Sequence, residues 1–281
     1  MPFKKLLKVD GRRKALSFLV VSAIMWSFGG LFIKYIEWNS LAIAGTRGLI
    51  AALAVALALP ESVRLPQNKF VWLCAFSYAG MCGTLVVATK LTTAANAIFL
   101  QYTAPIYVTL ISACFFREKI KPLDAMVVLS TVLGMALFFV GDFSFANILG
   151  NLVGIISGVC FAVMVIGFRF IKEAEPAAAI FCGNVILFLL SAPFMGGPAP
   201  EAGEWLALIF LGVFQIGISY AMYSRAIVRV TSLEGVIVPT IEPMLNPLWV
   251  FLFIGERPSN AAIVGGAIVL MSITFYCLRK K

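Results

Sequence analysis

Residues 94–120 read AANAIFLQYTAPIYVTLISACFFREKI, and residues 232–258 read SLEGVIVPTIEPMLNPLWVFLFIGERP. The two stretches align without a gap at an offset of 138, which sets Pro105 on Pro243 and Glu118 on Glu256. Each is a long apolar run with proline in its interior and charge at its end. A hydrocarbon core about 30 Å thick needs around 20 apolar residues of helix, so each run can cross a bilayer once. Open strands cannot satisfy their backbone groups in lipid, and the runs are therefore read as helices.

Working outward, the whole chain has this character. Of its 281 residues, 61% are hydrophobic and 12% charged, and its mean hydropathy is +0.99. Soluble globular chains carry about 25% charged residues, far more than this sequence has to cover a water-facing surface. Spans are predicted at 14–36, 41–59, 70–90, 92–116, 122–141, 147–171, 176–193, 204–228, 231–254 and 260–278. The basic N-terminus followed by an apolar run reads as the first span, not as a cleaved leader, because the run is long and no small-residue cleavage site follows.

Charge position fixes the orientation. Of the 22 Lys and Arg residues, 18 fall at the N-terminus, the C-terminus and the loops between even-numbered and following spans. The opposite side holds only Lys34, Lys90 and Arg257, while Arg47 lies within a span. Cytoplasmic loops carry the basic excess, so both termini are expected in the cytoplasm of a bacterial inner membrane. The net charge of +9 is thereby explained without nucleic acid, which would need a continuous basic face.

The repeat then defines the architecture. Upstream the offset slips to 133, which sets Trp72 on Trp205. The expected fold is an all-α integral membrane protein of ten transmembrane helices, built as two five-helix repeats, 1–141 and 142–281. An odd number of spans per half inverts the second half relative to the first, an arrangement used by transporters with a site between the halves.

Several motifs now resemble the bacterial EamA-type members of the drug/metabolite transporter superfamily. They are the Arg47 region, Gln101-Tyr-Thr-Ala-Pro105 with Arg117-Glu118, Glu242-Pro-Met-Leu-Asn-Pro247, and Gly255-Glu256-Arg257-Pro258. The resemblance covers essentially the whole chain. It implies a secondary transporter for a small metabolite, with a central cavity formed by the first, third, fourth, sixth, eighth and ninth helices.

Glu242 is the leading site candidate. It lies near the middle of its span, where a charged side chain costs about 2.5–3.5 kcal/mol on insertion scales. Pro239, Pro243 and Pro247 surround it, and each removes an amide donor and clashes with the carbonyl four residues back, so a kink or unwound turn is expected. Asn246 lies one turn after Glu242. In the fourth span Asn96, Gln101 and Tyr102 accompany Pro105, while Tyr78, Gln215, Tyr220 and Trp26 are candidates for an aromatic and polar cavity wall. Such a wall beside a carboxylate suits a cationic or zwitterionic amine through cation–π attraction. Glu242 is also the group suited to carry a coupling proton.

Other residues are read as structural. Glu234 is expected as a gate or interfacial residue. Arg47 lies close enough to the outer boundary to snorkel, paired with Glu37 or Asp142, a reading preferred over contact with a substrate carboxylate. Trp38, Trp72 and Trp205 read as interface anchors. Gly150, Gly154 and Gly158 form a small-residue face for close packing.

The six cysteines all lie in apolar segments and read as small hydrophobes, and the chain has no histidine, so no metal or cofactor is expected. No phosphate-binding loop is present, which points to gradient-driven transport. The alternatives are a membrane-embedded lipid-modifying enzyme, disfavoured by the absence of Gly-x-Ser-x-Gly and of clustered carboxylates, and a channel. Oligomeric state is not legible.

The charge asymmetry makes a direct prediction. Cysteines placed at Ser144 or Gly197 should react with impermeant reagent from outside, and one at Lys119 should not. External labelling at Lys119 would sink the ten-span topology.

Overall fold

The computed structural model describes residues 10–138, 140, 147–173, 175–196, 198–245 and 259–279. Among the sequence-predicted site residues, Asn246 and Pro247 lie outside this set.

The first span is broken into α1 (Arg12–Trp26) and α2 (Gly29–Tyr35), and the second is α3 (Ser40–Ala58). The third is α4 (Lys69–Leu91), and the fourth divides into α5 (Ala94–Gln101) and α6 (Ala104–Phe116). Then come α7 (Pro122–Phe138), α8 (Ile148–Gly167) and α9 (Glu175–Ser191). The eighth span joins α10 (Ala202–Phe210) to α11 (Ser219–Ile227) through a π-helical segment, Leu211–Ile218. The ninth starts as α12 (Ser232–Ile237), tightens to a 3-10 turn at Val238–Thr240 and continues helical through 241–245. The tenth is α13 (Asn260–Arg279).

Eight of these spans are long and apolar enough to cross a membrane, and Pro122–Leu137 is a shorter apolar helix. With the ninth span, part of which is described, they make up the ten-helix fold of two inverted five-helix repeats.

Helix starts show how the sequence writes these boundaries. Asn39, Asn68 and Asn147 each accept a backbone N–H of the following turn, satisfying an amide that has no intrahelical partner. Thr93 caps α5 by accepting from Asn96 N at 3.0 Å, and Thr231 caps α12 by accepting from Glu234 N at 3.3 Å. These threonines are separated by the repeat offset.

Each capped turn also holds the first span of the other half. Asn96 Nδ2 donates to Asn151 Oδ1 at 3.1 Å, tying α5 to the first turn of α8. Glu234 pairs with Arg12, whose Nε donates to Glu234 Oε1 at 3.0 Å, tying α12 to the first residue of α1. The two latches lie on opposite faces, since Lys34 at the far end of the first span reaches Thr92 O at 2.8 Å.

The glycine stripe of α8 seats against the fourth span. A Cβ on Gly150 would meet Thr92 and Leu91, and one on Gly154 would meet Leu100. At Gly158 it would lie 2.9 Å from two backbone oxygens, those of Leu100 and Gln101. Backbone cannot yield as a side-chain tip can, so Gly158→Ala should overpack this contact, at a cost of about 1–3 kcal/mol. Alanine's gain in helix propensity, about 1 kcal/mol, offsets part of that. Gly196 has no atom within 4 Å of its would-be Cβ and supplies the control. Thermal unfolding in detergent should show a lower midpoint for Gly158→Ala and none for Gly196→Ala. Equal midpoints would contradict the close approach of α8.

Candidate functional site

Among the described residues four spans are interrupted, and all four deliver side chains to one place. In the fourth, Pro105 has no amide to donate to Gln101 O, and the helix breaks at Tyr102–Thr103. Thr103 Oγ1 donates to Leu100 O at 2.6 Å, so a carbonyl at the break keeps a partner. In the ninth, Pro239 sits in the 3-10 turn, and Thr240 Oγ1 donates to Ile237 O at 2.7 Å. In the first, Ser27 Oγ donates to Ile24 O at 2.6 Å beside the gap between α1 and α2. In the eighth, Ser219 Oγ donates to Gln215 O and lies 3.1 Å from Ile216 O, closing the π segment.

A closed cavity of about 20 Å³ lies among these breaks, lined by Trp26, Arg47, Gln101, Tyr102, Gln215, Tyr220 and Glu242, with Met81, Cys82, Leu85, Phe161 and Ile216. That is room for about one water. Tyr102 Oη donates to Glu242 Oε2, so side chains from repeat-related breaks meet at the centre. Gln101 Nε2 donates to Ser157 Oγ at 3.1 Å, which in turn donates to Met81 O at 2.9 Å.

Aromatic rings form one wall. Trp26 packs on Tyr220 with ring centres 4.6 Å apart and on Tyr223 at 5.4 Å, and its Nε1 donates to Ser219 Oγ at 2.7 Å. Tyr78 lies one layer back, edge-on to Tyr220 at 4.9 Å, with its hydroxyl 3.3 Å from Asn184 Oδ1. The aromatic residues Phe161 and Tyr223 were not singled out from sequence. Neither has a proline beside it, and an aromatic in an apolar run reads as ordinary packing.

Arg47 corrects the expected placement. It is 1% exposed and faces inward: Nη1 lies 3.5 Å from Gln215 Oε1, and Nη2 donates to Cys82 O at 3.3 Å. The reason is packing. Gly45 and Gly48 fit against Ser191 and Asn184 of α9, and this turns the adjoining face of α3 into the bundle. Glu37 makes no ion pair with it among the described residues, and Asp142 lies outside them.

Asn96 lies outside the cavity, in the latch to Asn151. Glu234 is likewise remote, buried against Arg12 and closing a capping box with Thr231. Pro105, Pro239 and Pro243 shape the broken spans and do not line the space.

A second, open cavity of about 810 Å³ lies on the face that carries Arg12 and Arg279. Val108, Val165 and Leu233 contribute buried lining, and Glu118, Arg169 and Arg229 contribute charge. Val165 is one helical turn from Phe161, so about 6 Å of helix separates the vestibule from the closed cavity.

An EamA-like transporter family match covers residues 13–140 and a second covers 148–278, one in each half. The chain belongs to the EamA-like transporter family. It is 28% identical over 199 residues to the pseudopaline exporter of Pseudomonas aeruginosa, covering 66% of this chain and 67% of that one. The biotin transporter of Escherichia coli is 23% identical, with 92% of this chain and 91% of that one covered. A solved crystal structure 21% identical superposes with a TM-score of 0.78 over 96% of this chain and 100% of that one, which shows the shared fold. This EamA-like protein is thus a multi-pass membrane transporter, of a family of transporters and not of enzymes.

The bond between Tyr102 and Glu242 should be measurable as coupling. Tyr102→Phe leaves a buried carboxylate short of a donor, at a cost of about 1–3 kcal/mol. In a double-mutant cycle with Glu242→Gln, residues in contact couple by about 0.5–3 kcal/mol. Strict additivity in thermal unfolding would show that the two side chains do not interact.

Proposed function

We propose that this EamA-like protein is a secondary transporter that moves a small organic metabolite, an amine, amino acid or related compound, by alternating access across the bacterial inner membrane. In this reading both termini are cytoplasmic, and residues 1–141 and 142–281 are the two moving units. The carrying observation is Glu242. It is 7% exposed, lies between the repeats, and faces Tyr102, Trp26 and Tyr220 across the closed cavity.

The physics of the site supports the rest. A cavity with room for one water does not hold a metabolite, so loading requires the halves to part, and the vestibule on one face gives the direction of approach. Broken spans with side-chain-satisfied carbonyls supply joints at membrane depth. Glu242 contributes a titratable group for a coupling proton and an acceptor for a substrate ammonium, while Gln101, Gln215 and the aromatic wall shape the space. Asn246 is expected to join them from the turn after Glu242.

Glu242→Gln separates the two roles, because glutamine keeps shape and hydrogen bonding but neither charge nor titration. If Glu242 only couples protons, the variant in proteoliposomes should exchange substrate while losing pH-driven accumulation. If it holds a cationic group, equilibrium binding itself should weaken about ten- to a hundredfold. Normal binding and normal accumulation in a well-folded variant would refute the site. Conduction without saturable counterflow would favour a channel.

A further inference from the structure

We propose that Arg47, supported by Gln215, is a carboxylate-binding subsite, so that the cargo is a zwitterion held between Arg47 and Glu242. The proposal rests on reading the Glu242 cavity as the substrate site, and it adds the second charged arm.

A guanidinium at this depth needs partners, and those it has are weak. Arg47 is 1% exposed, yet its two hydrogen bonds, at 3.3 and 3.5 Å, go to neutral acceptors, the carbonyl of Cys82 and the amide oxygen of Gln215. Its Nε has no hydrogen-bond partner among the described residues. No carboxylate lies within salt-bridge distance of it there either, since the described ion pairs join Arg12 to Glu234, Arg169 to Glu118, Arg225 to Glu61 and Arg229 to Glu173. Arginine presents its donors as a planar fork that matches a carboxylate. A buried fork left with an open donor beside a water-sized space is incompletely satisfied, and a carboxylate entering that space would complete it.

The opposing charge sharpens the selection. Arg47 and Glu242 line one cavity from the second and ninth spans. A simple amine entering it would meet Arg47, and a simple acid would meet Glu242. Only a ligand bearing both charges satisfies both walls, so specificity comes from repulsion as much as from attraction.

Gln215 is held where the subsite needs it. The π segment carries it inward, and Gly29 makes room for it, because a Cβ there would lie 2.7 Å from Gln215 Nε2. Ser219, fixed by Trp26 and by Ser22, whose Oγ donates to Ser219 O at 2.9 Å, pins the end of that segment. Gln215 thereby acts as the positioning residue for Arg47.

The test is equilibrium binding to the purified full-length protein with matched trios: alanine, lysine and phenylalanine, each beside its decarboxylated amine and its deaminated acid. At least one amino acid should bind tenfold or more tightly than both of its relatives (about the effect of one charged hydrogen bond). Arg47→Gln should weaken that amino acid by about ten- to a hundredfold, while the amine, relieved of the repelling guanidinium, binds at least as tightly as before. Arg47→Lys, which keeps the charge without the fork, should fall between them.

An amine that binds as tightly as its parent amino acid overturns the subsite and leaves the Glu242 reading standing. So does an Arg47 variant that weakens both equally. If Glu242→Gln alters no ligand that binds, Glu242 is not the ammonium arm and the zwitterion assignment falls; if pH-driven accumulation is intact as well, the Glu242 reading itself falls. If none of the compounds binds, the zwitterion assignment is wrong. The selectivity of the unaltered protein needs no variant, so failure of the Arg47 variants to fold does not remove the test.

Discussion

The hydrogen bond from Tyr102 to Glu242 is the contact on which the centre of the protein depends, and it exists because two helices are broken at matching places. A continuous helix in lipid satisfies its own backbone, whereas a broken one must find other partners. Here the partners are hydroxyls. Ser27, Thr103, Ser219 and Thr240 each donate to a carbonyl three or four residues back, in the four interrupted spans that also supply Trp26, Tyr102, Gln215 and Glu242. The breaks and the cavity are one feature: the backbone bends only where polar side chains stand close, and those polar side chains line a common space.

Much of this was legible in the sequence. The apolar runs set the spans by length, and the offset of 138 set Pro105 on Pro243, which located both breaks. Glu242 stood out because a carboxylate at membrane depth is costly, and Tyr102 because it borders a proline. Arg47 was not legible in this way. Its distance from the boundary allows a side chain to reach either outward or inward, and the choice is made by Gly45 and Gly48 packing on α9. The π segment Leu211–Ile218 also escaped notice, since it holds no proline. Gly212 and Gly217 seat it against Ile50 and Ala54 of α3, a contact visible only once both helices are in place. Asn96 misled by proximity: it shares a span with Tyr102, but six residues carry it about 9 Å along the axis, away from the break.

The membrane solvent explains why so few residues carry the polar work. With lipid outside, exposed leucines and phenylalanines are the proper surface, and the informative residues are the buried polar ones. Arg47, Gln101, Gln215, Glu234 and Glu242 are each under 9% exposed, and every one of them has a hydrogen bond from or to another span. Three of these contacts serve the centre and the latch to Arg12 serves an end. The same rule, that each of these residues reaches a partner in another span, therefore produces both the site and the framework around it.

The two latches are built on the same capping threonine but finish differently, as an amide pair at Asn96–Asn151 and an ion pair at Arg12–Glu234. In an antiparallel pairing of two identical half-length chains, every residue on one face would recur on the other. A substitution that loosened one door would loosen both. Joining the halves in a single chain lifts that restriction, so each door can drift without its twin. One side of the membrane has come to be fastened by a contact sensitive to salt and the other by one that salt barely screens.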